Sequence, residues 1–174
     1  KWYCLYPKNL GIQNRVKLCV PRLVERLHAG YDIDGRHFND NVDVGGVTLK
    51  SDYREQTLEY LLCLMNSNLL RWHFSQISTT FRGGWRSANR QFIEKLPFRT
   101  IDFYNKNDVK AHRKIVSMTM SMLDCHSQLL QAKTPDEEIR TRRLIAANEI
   151  QMNNLVYELY GINKSEIEII ESEK

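Results

Sequence analysis

The fold of this chain is decided by Leu58-Glu59-Tyr60-Leu61-Leu62-Cys63-Leu64-Met65-Asn66-Ser67-Asn68-Leu69-Leu70. Its apolar residues recur at i, i+3, i+4 and i+7, which places them on one face of a helix. This period begins near Tyr53 and continues to about Phe74. The sequence therefore predicts one amphipathic helix here, with strands before it and long helices after it.

The segment before this helix has the pattern of short strands. An apolar strand is predicted at residues 16–20 and ends at Pro21, and another, through Tyr31, leads into Asp34-Gly35. Asp-Gly is typical of a tight hairpin turn, because it accommodates positive φ values. Residues 42–49 predict a third strand, with Gly45-Gly46 as a bend or bulge.

The segment after residue 107 is helical. Its apolar residues step by four and three from Ala111 to Ala132, which predicts a long helix capped by Asp108. Thr134-Pro135-Asp136-Glu137 is a capping box that starts a second helix, and Gly161 ends it. A short helix follows Asn163. We expect an α+β fold: a small mixed β-sheet with a packed helix (domain 1–107), then an antiparallel helical hairpin with a short terminal helix (domain 108–174).

Charge is distributed unevenly along the 174 residues. The formal net charge is only +4, but residues 61–114 carry +7 and residues 115–174 carry −4. A concentrated positive excess favours a polyanion partner for the middle of the chain. No apolar run approaches the ~18 residues of a membrane span, and no export signal is visible. Four scattered cysteines are typical of reduced thiols, so we expect a cytoplasmic protein with no membrane partner.

Catalytic and metal-binding patterns are missing from the sequence. Glycine-rich phosphate loops, clustered His or Cys ligands and adjacent prolines of an adenine-methylation motif do not occur. Asp102 with Asp108-Val109-Lys110 is the nearest approach to a nuclease pattern, and a helix cap explains Asp108 better. We expect no catalytic residue, metal or cofactor in this chain. Because it begins with Lys1 rather than Met, we expect it to be a piece of a longer protein.

The sharpest local feature is the run Phe81-Arg82-Gly83-Gly84-Trp85-Arg86-Ser87-Ala88-Asn89-Arg90. Arg and Asn side chains can read guanine and adenine edges, which makes base-edge candidates of Arg82, Arg86, Asn89 and Arg90. Phe81 and Trp85 are candidates for shaping or wedging DNA, although large aromatics more often pack into a core. Gly83 and Gly84 supply a flexible loop. Lys17, Arg22 and Lys95 are candidate phosphate contacts.

Several segments, in this order, resemble the TaqI-like C-terminal specificity domain of fused type II restriction-modification enzymes and related adenine-specific DNA methyltransferases. The similar segments are Lys17-Leu18-Cys19-Val20-Pro21, Ala29-Gly30-Tyr31-Asp32-Ile33-Asp34-Gly35, Tyr60-Leu61-Leu62-Cys63-Leu64-Met65-Asn66-Ser67, Gly83-Gly84, Leu96-Pro97, Leu155-Val156-Tyr157-Glu158-Leu159-Tyr160-Gly161-Ile162 and Glu166-Ile167. The resemblance extends over nearly the whole chain.

The resemblance implies a target-recognition domain for double-stranded DNA. It also implies a methyltransferase domain N-terminal to it in the parent chain. That domain would use S-adenosylmethionine, and an accompanying endonuclease would use Mg²⁺. The helices after residue 107 would then be a spacer or docking element. A second hypothesis is a protein–protein docking module that uses the helical hairpin and makes no contact with DNA.

Overall fold

The computed structural model describes residues 14–37, 44–50, 52, 56–81 and 83–173. Within these ranges, two small antiparallel sheets and a short run of helices precede a long helical hairpin. The α+β class and the C-terminal helices are as the sequence predicts.

The larger sheet is built around strand β1, Lys17–Pro21. Strand β3, Gly30–Asp32, pairs with one edge of β1, and strand β4, Val44–Val47, pairs with the other edge. Both pairings are antiparallel. Among the described residues the prediction of a tight hairpin at Asp34-Gly35 is wrong, because β3 and β4 both pair with β1 and not with each other. Gly35 still lies in a turn, with φ of +64°.

The smaller sheet contains strand β2, Leu23–Val24, and strand β5, Arg86–Ser87. They pair antiparallel, with Leu23 opposite Ser87 and Val24 opposite Arg86. The second sheet was not predicted, since a two-residue strand has too few residues to show an alternating pattern. It connects the N-terminal strands to the glycine-containing loop far along the sequence.

The single helix predicted between the sheets is in fact two helices. Helix α1 is Leu58–Asn66 and helix α2 is Asn68–Ile77, with Ser67 between them in an extended conformation. The Ser67 hydroxyl donates to the Leu64 carbonyl at 2.7 Å and accepts from the Leu70 N–H at 3.3 Å. Ser67 therefore closes one helix and caps the next. The sequence did not predict this break, because the helical spacing of apolar residues continues on both sides of Ser67.

The remaining helices are α3, Arg90–Ile93; α4, Lys106–Gln131; α5, Pro135–Tyr160; and α6, Lys164–Ser172. The predicted capping boxes of α5 and α6 are both present, and Gly161 ends α5 with φ of +69°. The N-cap of helix α4 is Asn105, three residues before the predicted cap Asp108. The prediction that Asp108 caps this helix is wrong: its carboxylate accepts hydrogen bonds from Arg99 and from the Asp102 N–H.

A single core joins the sheets to the hairpin. Leu18 of β1, Tyr60 of α1, Phe74 of α2, Ile115 of α4 and Val156 of α5 are all fully buried and belong to the same apolar cluster. Burial of such side chains is the main stabilising contribution to a fold of this size. The loop with Gly83 and Gly84 is therefore attached to a packed support. Among the described helices, none is long and apolar enough to cross a membrane.

Candidate nucleic-acid interface

A short turn over residues 80–86, here named the glycine turn, projects from the smaller sheet. Thr80 bridges Arg86, and the Phe81 N–H donates to the Trp85 carbonyl at 2.6 Å. Gly83 and Gly84 both have φ of +83°, a conformation that other residues adopt only with strain. The two glycines are thus required by the turn geometry. Arg82 lies outside the described residues, so its predicted role has no structural account.

The aromatic side chains of the glycine turn are exposed. Phe81 is 51% exposed and Trp85 is 44% exposed, which contradicts the expectation that they pack into the core. Leu23, next to the turn on strand β2, is 50% exposed as well. The backbone of the turn is held by hydrogen bonds while these apolar groups face solvent. Such groups can stack on bases or enter between them.

Arg86 is tied to helix α2. Its Nη1 donates to the backbone carbonyl of Ser75 at 2.6 Å and lies 3.5 Å from the Ser78 hydroxyl. The last carbonyls of a helix have no partner within the helix, so a guanidinium group there satisfies a free acceptor. Arg86 holds the glycine turn against the helix, and this half-buried position differs from the exposed one that a base contact needs.

Asn89 and Arg90 follow the turn and begin helix α3. Asn89 caps the helix by its backbone position, and its side chain makes no hydrogen bond within the described part of the chain. Arg90 is exposed and its Nε lies 3.4 Å from Glu94 Oε2, a solvated pair that adds little to stability. Both side chains are therefore available to an external ligand.

The three predicted phosphate contacts occupy different environments. Lys95 is exposed and Arg22 is half-buried, with the Arg22 carbonyl accepting from the Ala88 N–H at 2.7 Å. Lys17 is fully buried, and its Nζ lies 2.5 Å from Asp32 Oδ2. The predicted phosphate contact for Lys17 is wrong, because an ammonium group paired inside the sheet cannot reach DNA.

Asp32 is the centre of this buried polar cluster. Its carboxylate accepts hydrogen bonds from Lys17, from the His37 side chain and from the backbone N–H groups of Arg36 and His37. Burial alone would raise the pKa of Asp32, but these hydrogen bonds lower it well below its ordinary value. The cluster has a structural role: it fixes the turn that follows β3.

Sequence reasoning missed three residues near the glycine turn: Leu23, Arg26 and Arg71. A cleft of about 370 Å³ lies beside the turn, and its lining includes Arg26, Arg71, Gly84 and Arg86. Leu23 lies next to buried Val24 and faces the opposite side of strand β2, but a strand of two residues shows no alternating pattern from which this could be predicted. Arg71 gave no signal in the sequence, because only the tertiary structure places it beside Arg26 and Arg86.

Cys63 and His112, two groups that could take part in thiol or metal chemistry, lie in the core. No group of three or more His, Cys, Asp or Glu residues that could hold a metal ion occurs among the described residues. Cys63 is buried, which raises its pKa to about 12 and keeps it a thiol at neutral pH. His112 is buried beside Tyr60 and Phe103, with ring centroids 5.1 and 5.4 Å away. These groups are part of the packing.

A comparison with models of protein families identifies a match for this chain. The family model of the TaqI-like C-terminal specificity domain matches residues 2–98, which is more than half of the chain. The match includes both sheets and the glycine turn and ends shortly after Leu96-Pro97, so the tail motif at residues 155–162 lies outside it. A comparison with curated proteins found no match. The chain belongs to the family of TaqI-like C-terminal specificity domains.

Proposed function

We propose that this chain binds double-stranded DNA in a sequence-specific manner, as the target-recognition module of a restriction-modification protein. Membership of the specificity-domain family indicates a DNA-recognition role in such proteins. The observation that carries the proposal is the exposure of Phe81 and Trp85 on a turn with a hydrogen-bonded backbone. Exposed aromatics on a rigid support, beside basic side chains, suit a nucleic-acid surface.

Each candidate residue has a separate role in this proposal. Asn89 and Arg90 approach base edges, because their side chains are available and their fork geometries match adenine and guanine. Phe81 and Trp85 shape or wedge the site, with Leu23 as a further apolar contact. Arg22 and Lys95 contact phosphates, and Arg82 retains its base-edge role on sequence grounds alone.

The parent protein supplies the catalysis in this proposal. An adenine-specific methyltransferase domain of the same chain would transfer the methyl group from S-adenosylmethionine. An endonuclease in the same protein would require Mg²⁺. Target recognition by a separate module is useful for such an enzyme, because an adenine must leave the base stack before it can be methylated. The role of this chain is then to select the site at which that happens.

The test is a binding selection on the chain as it exists. A library of randomised duplexes is incubated with the protein at low salt, and the retained sequences are read. We expect enrichment of a short motif, and an affinity for that motif that falls with rising salt as counterions are released. Enrichment without any motif would reject sequence specificity, and no binding at low salt would reject the DNA role.

A second candidate function is protein docking through the helical hairpin. It is favoured by exposed aliphatic side chains on α4 and α5, which include Leu130, Ile139, Leu144 and Ile150. Leu130 is 89% exposed and Ile150 is 64% exposed. If the chain fails to bind duplex DNA but binds the separately produced methyltransferase domain, docking replaces recognition as its function. Leu144→Glu and Ile150→Glu should then weaken that interaction.

A further inference from the structure

The cleft beside the glycine turn brings together three arginines from separate parts of the chain. Arg26 follows strand β2, Arg71 lies on helix α2, and Arg86 lies on strand β5, and all three line the cleft. Arg26 is exposed, whereas Arg71 and Arg86 are half-buried. Only the tertiary structure brings these residues together, because 45 positions separate Arg26 from Arg71 in the sequence.

Two of the three guanidinium groups are held in place by backbone carbonyls. Arg71 Nε donates to the Leu27 carbonyl at 3.0 Å, and Arg86 Nη1 donates to the Ser75 carbonyl at 2.6 Å. Each group has further N–H donors beyond these bonds. None of the three arginines forms an ion pair with any residue that the structure describes. The cleft therefore presents cationic donors that no described carboxylate approaches to ion-pair distance.

The residues that line the cleft carry one more positive than negative charge. Its lining includes two acidic residues, Glu25 and Glu173, and Glu173 Oε2 accepts from the Gln76 amide at 2.9 Å. Burial lowers the pKa of Arg71, and the positive charge of Arg26 adds to this effect while Glu149 opposes it. Two guanidinium groups that repel each other in a partly buried cleft are stabilised by an anion between them.

We propose that this cleft binds one phosphodiester group of the DNA backbone, with Arg26, Arg71 and Arg86 as its donors. The proposal rests on the DNA-binding function proposed above and adds a site that sequence reasoning did not find. Gly84 and Arg86 belong to both the glycine turn and the cleft wall. A phosphate held there would bring the same DNA strand alongside Trp85. Arginine suits this role, because its planar fork matches two phosphate oxygens.

The first experiment measures the salt dependence of duplex binding. Arg26→Gln removes the exposed cation of the cleft without breaking either carbonyl bond. We expect the slope of log affinity against log salt to fall by about 0.9 and affinity to fall about tenfold, equally on all sequences. Arg140→Gln, an exposed arginine on α5, is the control and should change neither. A slope in Arg26→Gln equal to that of the wild-type chain would overturn the proposal.

The second experiment separates failure of this site from failure of DNA binding as a whole. Trp72 also lines the cleft, and its indole Nε1–H is buried without an acceptor among the described residues. Inorganic phosphate is titrated while the indole N–H resonance is followed by NMR. We expect a saturable shift that Arg26→Gln weakens and Arg140→Gln leaves unchanged. No saturable shift would overturn the site. If the chain shows this shift but does not bind duplex DNA, the cleft is an anion site whose ligand is not DNA.

Discussion

Arg86 Nη1 donates a 2.6 Å hydrogen bond to the backbone carbonyl of Ser75, near the C-terminal end of helix α2. This bond connects the glycine turn to the packed helix that supports it. A loop that reads DNA must hold its side chains within a fraction of an ångström of their working positions. Hydrogen bonds from the loop to a packed helix hold them there. Arg86 therefore has a role in positioning the turn that is distinct from base reading.

The first prediction concerns Arg86 itself. The sequence alone predicts that, if Arg86 reads a base, Arg86→Ala costs about 1–3 kcal/mol of binding and relaxes specificity at one base position. The bond to Ser75 changes that expectation. We now expect the free energy of unfolding to fall by about 1.5–3 kcal/mol and duplex affinity to fall equally on every sequence. Urea unfolding and a panel of single-substituted duplexes measure both effects.

Arg90→Ala is the matched control for Arg86→Ala. Arg90 is exposed, so its removal should change the free energy of unfolding by no more than about 0.5 kcal/mol. If it reads a base, specificity should relax at one position. A loss of discrimination at one base position in Arg86→Ala, with unchanged stability, would contradict the positioning role.

The second prediction concerns the exposed aromatics. Trp85→Ala and Phe81→Ala should each weaken duplex binding by about 1–3 kcal/mol, the contribution of one base stacked on an aromatic ring. Because each side chain is about half exposed, stability should fall by about 1 kcal/mol or less. Fluorescence anisotropy with a labelled duplex measures the affinity. Leu130→Ala, at an exposed apolar residue on the hairpin, should leave binding unchanged. If Trp85→Ala and Phe81→Ala bound the duplex as tightly as Leu130→Ala and the wild-type chain, the glycine turn would not be part of the interface.

The third prediction concerns the backbone of the turn. Gly84 has φ of +83°, and a Cβ placed there meets no atom within 4 Å, so only backbone strain opposes a substitution. Gly84→Ala should cost about 1–2 kcal/mol of stability and weaken DNA binding. Gly30→Ala is the control, since that site is also open and has no positive φ. Thermal unfolding compares the two variants. If Gly84→Ala proved as stable as Gly30→Ala, the turn would have another conformation in solution.

The fourth prediction concerns Asp108 and acid stability. A hydrogen bond from Arg99 lowers the pKa of Asp108, and one from the Asp102 N–H lowers it further, although burial opposes both. A carboxylate with a lowered folded pKa stabilises the fold above its unfolded pKa, about 3.9, and this contribution is lost as pH falls through the lowered value. Asp108→Asn should therefore reduce stability by about 1 kcal/mol at neutral pH.

Chemical unfolding between pH 7 and pH 2 tests this prediction. The difference between wild type and Asp108→Asn should be largest at neutral pH and should disappear at the acid end. Asp124→Asn, on an exposed part of the same helix, is the control for removal of one negative charge. A difference that stays constant across the pH range would show that the carboxylate charge of Asp108 is not the stabilising element.

The helical part of the fold was predictable because its signals are local. The Thr134–Glu137 capping box, the Asn163–Glu166 capping box and the left-handed Gly161 each act within one helical turn. A local motif is visible in a single stretch of sequence. The break at Ser67 was not predicted, because it leaves no mark in the apolar pattern. The apolar face continues from α1 into α2, and the serine interrupts only the backbone.

The candidate site was predictable in position but only partly in its chemistry. The glycine turn was identified from its arginines, glycines and aromatics. Which of them face solvent depended on pairings between distant segments, such as Val24 with Arg86. Lys17 shows the same dependence: it looked like a surface cation, and its register opposite Asp32 in the sheet makes it a buried ion pair.

The sequence by itself determined the α+β class, the helical hairpin with both caps of its second helix, the loop of interest and the family. The class, the hairpin and the loop follow from periodicity, capping residues and composition, which act over a few neighbouring positions, and the family follows from the resemblance of several sequence segments in order. Only the tertiary structure decided that Phe81 and Trp85 are exposed, that Arg86 holds the turn to α2, and that Arg26 and Arg71 share a cleft. Exposure and charge pairing depend on which distant segments meet, and that is set by the packing of the common core.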